Sequence, residues 1–276
     1  MHFTNEQQFL DYLLEEIEKD RIVLPSLPEV ALKVRDAVDK GDANASQLAN
    51  MISEDAALTA RLLQVANSPL YRARTEISNL QMAVMRLGYN TVRTLMMGLA
   101  MKQVFQPDSA LLGNYFHDVW QASVDVAAIS RAMATLSSHL DTEQALLAGL
   151  IHQIGKLPIL SLADKSNGIA KDQQTLDHLL ESLHPNIGEI IMEKWNFPTS
   201  LSRVVREYKL WDRQPESDEA DYVDVVQVAY LEHLTGQGKE PPAEPSQIAA
   251  FPRLGLAPDI EVVEIKGIDE TRQLFS

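Results

Sequence analysis

The chain has 276 residues, no cysteine, and 39 acidic against 24 basic side chains, a formal charge of -15 at pH 7. That length buries a real core in one large or two small domains, and the missing thiols remove disulfides, thiolate metal sites and a cysteine nucleophile, which fits a reducing cytoplasm. The acidic balance argues against nucleic-acid or anionic-membrane binding; apolar runs such as 95–101 and 145–151 fall short of the roughly 20 residues that cross a bilayer; and Met1 to Glu6 lack a basic segment followed by an apolar one, so neither a signal peptide nor membrane insertion is expected.

Helical periodicity runs through most of the N-terminal half. Thr4 and Gln7 have capping-box spacing, and Leu10, Leu13, Leu14 and Ile17 follow on one stripe. Leu24-Pro25-Ser26-Leu27-Pro28 is a punctuated turn whose second proline opens a helix bearing Val30, Val34, Ala37 and Val38, with Gly41 at its end. Ser46 is read as the start of a short helix through Ile52, and Asp55 as the start of the next. Asn67-Ser68-Pro69 interrupts the pattern, the asparagine suiting a left-handed closing residue. Ser78 is read as the cap of a helix ending at Leu87-Gly88, followed by Val92, Leu95, Met96 and Leu99 on one stripe.

Pro107-Asp108-Ser109 marks a boundary. Beyond it the pattern predicts a helix from about Leu111 to Leu136 and another opened by Asp141 with Gln144, carrying Leu147, Leu150, Ile151 and Ile154 as a buried central face. Thr175 and Pro185 each stand where a helix would start, Pro198 precedes Leu201, Val204 and Tyr208, and Asp221 to Leu234 supplies another helix. Thr235 to Ser246 reads as an exposed linker, with one short helix expected between Asp259 and Leu274. Ile260 to Ile265 allows a short extended piece, but no alternation is long enough to demand a sheet. The expected class is all-α: an N-terminal helical lobe over 1–108, a helical bundle over 109–235, and a linker and tail over 236–276.

Charge is uneven. Arg61, Arg72, Arg74, Arg86, Arg93 and Lys102 are opposed only by Glu76 over that stretch. Such an island either docks an acidic partner or pairs with the acidic remainder of the same chain. Arg72, Arg74, Arg86 and Arg93 are the candidate partner-binding surface.

Leu150-Ile151-His152-Gln153-Ile154-Gly155-Lys156-Leu157 places a polar pair inside an apolar helix. A lone His there reads first as a hydrogen-bonded core residue, and Lys156 as a side chain closing the helix at its carbonyl end. The stretch resembles the core of the HD superfamily, whose Leu-His-Asp-Ile-Gly-Lys helix binds metal through the His-Asp pair. The resemblance implies metal ligands at Ala122, His152, Gln153, His184, a position within Val205 to Tyr208, and Tyr230. Only His152 and His184 keep an imidazole, and no carboxylate stands at the matched positions. Hard or borderline cations want anionic oxygens, and zinc sites use three or four protein ligands, so no metal and no cofactor is expected.

Further motifs narrow the resemblance. Leu24 to Pro28, Ile52 to Thr59, Leu62 to Ser68, Ala83 to Gly88 and Trp195-Asn196-Phe197-Pro198 are similar, in order over about residues 20 to 235, to the HDOD (HD-related output domain) family. That resemblance implies a bacterial signalling or regulatory module that binds a protein partner or a small anionic ligand, such as a nucleotide or cyclic dinucleotide. The candidate pocket comprises His152, Gln153, His184 and Glu207, with no catalytic residue. The alternative is a divergent metal-dependent phosphohydrolase acting on such a nucleotide.

Overall fold

The computed structural model describes residues 6–19, 21–22, 24–71, 75–105, 112–165, 169–215, 217–258 and 267–275. Among them there is no β-strand, and the fold is all-α with two lobes. Thr4, Arg72, Arg74, the turn at 107–109 and the extended piece at 260–265 lie outside the described residues.

The first lobe is built from α1 (Glu6–Glu18), α2 (Glu29–Lys40), α3 (Ala45–Ile52), α4 (Ala56–Ala66), α5 (Leu80–Leu87) and α6 (Tyr89–Val104). Two caps differ from the sequence reading. Asn44, not Ser46, opens α3, because its side chain accepts from Gln47 N while Gln47 Oε1 accepts from Asn44 N, a reciprocal capping box. Asn79, not Ser78, caps α5 by accepting from Met82 N at 2.9 Å. Asp55 caps α4 as expected. Asn67 closes α4 in ordinary right-handed geometry (φ -93°). Its amide serves another purpose: Oδ1 accepts from Ile77 N at 2.8 Å and Nδ2 donates to Ile77 O at 2.9 Å, clamping the ends of the loop between them.

The bundle comprises α7 (Gly113–Ala134), α8 (Thr142–Ile151), α9 (Lys156–Lys165), α10 (Gln173–Lys194), α11 (Thr199–Glu207) and α12 (Tyr222–Gly236). Helix α8 is the axis, packed against α6, α7 and α12. Gly149 lets α7 close in, since a Cβ there would lie 2.3 Å from Ala127 Cα. Thr142–Lys165 is apolar and long enough to cross a membrane, unlike the shorter runs noted above, yet 94% of its most apolar 18-residue window is buried in the fold. Helix α10 is one element rather than two: Asp172 caps it, and Pro185 sits inside. An interior proline costs about 3 kcal/mol; burial of Leu183, His184, Ile187 and Ile191 around it offsets that.

One continuous core joins the lobes. Glu143, buried at the start of α8, accepts from Tyr71 Oη at 2.8 Å and from Arg131 Nη2 at 2.8 Å. The Trp195 indole donates to Pro25 O at 3.0 Å, and Arg35 of α2 donates to Trp195 O. After α13 (Ala250–Arg253), α14 (Ile268–Phe275) packs on α7, and Trp120 Nε1 donates to Phe275 O at 3.2 Å.

Candidate functional site

His152 follows the last residue of α8 and is fully buried. Its Nδ1 lies 2.6 Å from Gly149 O. A carbonyl only accepts, so Nδ1 carries the proton and Nε2 presents a lone pair. That lone pair faces the side-chain amide nitrogen of Gln153 at 2.9 Å, which donates to it. His184, midway along α10, repeats the arrangement: Nδ1 donates to Leu180 O at 2.7 Å, and Nε2 accepts from Tyr208 Oη at 2.8 Å. Both rings are therefore neutral Nδ1–H tautomers whose remaining lone pair is already taken.

Electrostatics point the same way. Burial, then the ammonium of Lys156, holds His184 down to about 3. Burial lowers His152 well below the usual histidine range, and raises the Tyr208 phenol well above its own. Tyr208 stands edge-on to His152 with ring centroids 4.9 Å apart, and Tyr230 stands perpendicular to Tyr208 at 5.2 Å. Trp211 stacks on Tyr230 at 6.4 Å. Where the resemblance implies metal ligands, two phenols and an amide fill the volume.

Gly155 sets the spacing of the two histidines. A Cβ there would fall 2.0 Å from His184 O and 2.6 Å from Gly188 N, so only glycine lets α10 approach the turn after α8. Lys156 does not close a helix, contrary to the sequence reading. It opens α9, and its buried ammonium donates to Glu181 Oε1 at 2.7 Å. Glu181 also binds Lys209, whose ammonium lies 5.6 Å from the centre of the Tyr208 ring and 5.2 Å from that of Tyr230. Desolvation alone would raise the Glu181 carboxyl; Lys156 and then Lys209 outweigh it and hold it at about 2.

In front of this packed centre lies a cavity of about 690 Å³, walled by α7, α10 and α12. Gln153, Lys156 and Tyr230 line it, whereas His152 and His184 do not. Acidic Asp118, Asp125, Asp177 and Glu181 share it with Lys156 and Lys239, so it offers both signs of charge. His233, at its edge, is held by Asp125 Oδ2 at 3.1 Å and by the Gln237 amide at 3.0 Å, and Arg272 of α14 donates to Asp125 at 2.7 Å.

Among the described residues no group of three or more His, Cys, Asp or Glu side chains is arranged to hold a metal ion. Of the sequence-selected pocket residues, His152, Gln153 and His184 come together. Glu207 does not join them: its carboxylate is taken by Arg203 at 3.0 Å and Arg213 at 3.0 Å, and Arg213 in turn binds buried Asp224. Tyr208, Glu181 and Lys209 were not selected from sequence, although Tyr208 sits where a further histidine ligand was sought. Of the arginine candidates, Arg86 Nη2 reaches Tyr71 O at 3.5 Å, and Arg93 pairs with Asp39 at 2.6 Å in the cleft between the lobes.

Comparison with known proteins agrees with the fold. A crystal structure from Shewanella amazonensis SB2B, provisionally named a metal-dependent phosphohydrolase, is 27% identical and matches 99% of this chain and 98% of that one with a TM-score of 0.83. An HDOD domain protein of unknown function from Geobacter sulfurreducens is 21% identical, covering 98% of each chain with a TM-score of 0.70. An uncharacterised protein of Treponema pallidum (strain Nichols) is 22% identical over 226 residues, 77% of this chain but only 42% of that relative's length. The sequence profile of the HDOD domain matches residues 24–210. On that match the chain belongs to the HDOD domain family, a branch of the HD superfamily.

Proposed function

We propose that this protein is a non-catalytic signalling module that works by binding a regulatory partner or a small ligand, and not by turnover. The observation that carries the reading is the pair of occupied lone pairs: Gln153 caps His152 Nε2 and Tyr208 caps His184 Nε2, so a cation would have to break both bonds and displace two phenols. Among the described residues no group of three or more His, Asp or Glu side chains is arranged around either ring to supply the ligands and charge a hard cation needs. What remains open to ligands at this centre is the cavity in front, with its amides, acids and lysines. The reading places the protein in the cytoplasm of a bacterium. A relative of known structure from Marinobacter aquaeolei VT8, 22% identical with a TM-score of 0.66, is provisionally called a signal transduction protein, a role of the same kind.

The name of the Shewanella structure supports a second reading, metal-dependent hydrolysis of a nucleotide or cyclic dinucleotide. One experiment separates the two. The purified chain is equilibrated with Mn²⁺, Fe²⁺, Ni²⁺ and Zn²⁺ in turn, desalted and analysed for metal. The regulatory reading expects substoichiometric metal, unchanged in His152→Ala. A full equivalent that disappears in that variant, with metal-stimulated release of nitrophenol from bis(p-nitrophenyl) phosphate, would overturn it.

A further inference from the structure

A second cavity, about 430 Å³ in volume, lies where the two lobes meet, apart from the histidine centre. It falls within the range of about 300–1,000 Å³ typical of small-molecule pockets. The first lobe contributes Arg35 and Asp39 from α2 and Arg93 from α6, which pairs with Asp39. The bundle contributes Gln144 at the start of α8 and Asn196-Phe197, the link between α10 and α11.

The link is built to hold that position. Trp195 caps the end of α10, Asn196 takes the left-handed conformation (φ 52°), Asn196 N donates to Glu193 O at 2.9 Å, and Phe197 N donates to Met192 O at 3.0 Å. This is a Schellman termination with asparagine in the usual glycine place. It turns Phe197 into the cleft while Trp195 and Arg35 fasten the turn to the first lobe.

We infer that this interlobe cleft is a binding site for a small molecule made of a planar ring and a phosphate group, of the size of a nucleoside monophosphate. The Arg93 guanidinium is the kind of side chain best shaped to hold phosphate oxygens, and Arg35, already bound to Asp36 and to Trp195 O, adds a second positive charge to the lining. They are mostly buried, with 22% and 18% of their side chains exposed, so a bond formed there is poorly screened. Asp39 is 48% exposed, and such a partner is a weak competitor that an incoming phosphate displaces. Phe197, from the bundle side, contributes an aromatic ring to the lining, the side-chain amides of Gln144 and Asn196 offer donors and acceptors to a ring edge, and Met97 and Leu147 add apolar surface. The inference stands whether or not the cavity beside His152 takes a ligand.

The test is isothermal titration calorimetry of the full chain with AMP, GMP, CMP and UMP, and with adenosine and inorganic phosphate as half-ligands. At least one nucleotide should bind with one-to-one stoichiometry, and each half-ligand about tenfold or more weaker. Arg93→Gln should weaken the nucleotide by about tenfold or more, and Asp39→Asn, which removes the competing carboxylate at the surface, should tighten it. Absence of binding by all four nucleotides would overturn the assignment. So would equal binding by Arg93→Gln and the natural protein, or loss in Lys156→Gln with Arg93→Gln unaffected, which would move the ligand to the other cavity.

Discussion

Lowering the pH from 7 to 5 should destabilise the protein through two histidines that stay neutral in the fold. In the unfolded chain each titrates near its ordinary value of 6.5, while in the fold His184 is held at about 3 and His152 well below normal. Between those limits the unfolded state binds one more proton per histidine. Stability therefore rises with pH in that window, is fully present above about 6.5, and is lost as pH falls toward the folded value. Each such proton is worth about 1.4 kcal/mol per pH unit, so moving from 6.5 to 5.0 removes about 2 kcal/mol through His184, and the depressed His152 adds a loss of the same sign. The assay is urea unfolding at pH 7, 6 and 5 for the natural protein and for His184→Gln, whose amide oxygen can still accept from Tyr208. The variant starts weaker but should lose about 2 kcal/mol less over the same interval, because every other titration is shared. Equal losses in the two proteins would refute the assignment of His184 as a buried neutral ring.

Two further outcomes follow from the same centre. Tyr208→Phe leaves His184 Nε2 buried without a donor, so unfolding should become easier by about 1–3 kcal/mol; an unchanged urea midpoint would show that the hydroxyl does not matter. Gly155→Ala forces a methyl group into His184 O and should cost about 3 kcal/mol, whereas Gly113→Ala, where a Cβ meets nothing within 4 Å, should stay within about 1 kcal/mol of the natural protein. Comparable melting temperatures for the two alanine variants would mean that the α10 approach is not tight.

Sequence periodicity was enough to reveal the all-α class, the caps at Asp55 and Asp141, and the burial of α8, because these depend on residues close together in the chain. It misplaced the break in α10, since proline normally ends a helix and only the packing of Leu183, Ile187 and Ile191 holds this one through. The shortage of charge at the histidine centre was also readable, from Ala122 and Gln153. What replaced the missing ligands was not. Tyr208 is 24 residues from His184, and its hydroxyl acts as a partner only once α11 has folded onto α10. Lys156 misled for the same reason: its counter-charge, Glu181, comes from another helix. Glu207 has the right chemistry for a pocket residue, but Arg203, one turn back on α11, and Arg213, six residues on, claim its carboxylate instead. Arg93 of the basic stretch likewise finds its acid, Asp39, on a different helix.

The bond from the Trp195 indole to Pro25 O joins segments 170 residues apart. It makes that ring a natural optical gauge of the junction. Any signal that pries the halves apart must strip the indole of its carbonyl and wet it, so its emission would shift to the red. With only two other tryptophans in the chain, at 120 and 211, a pair of Phe replacements isolates the reading.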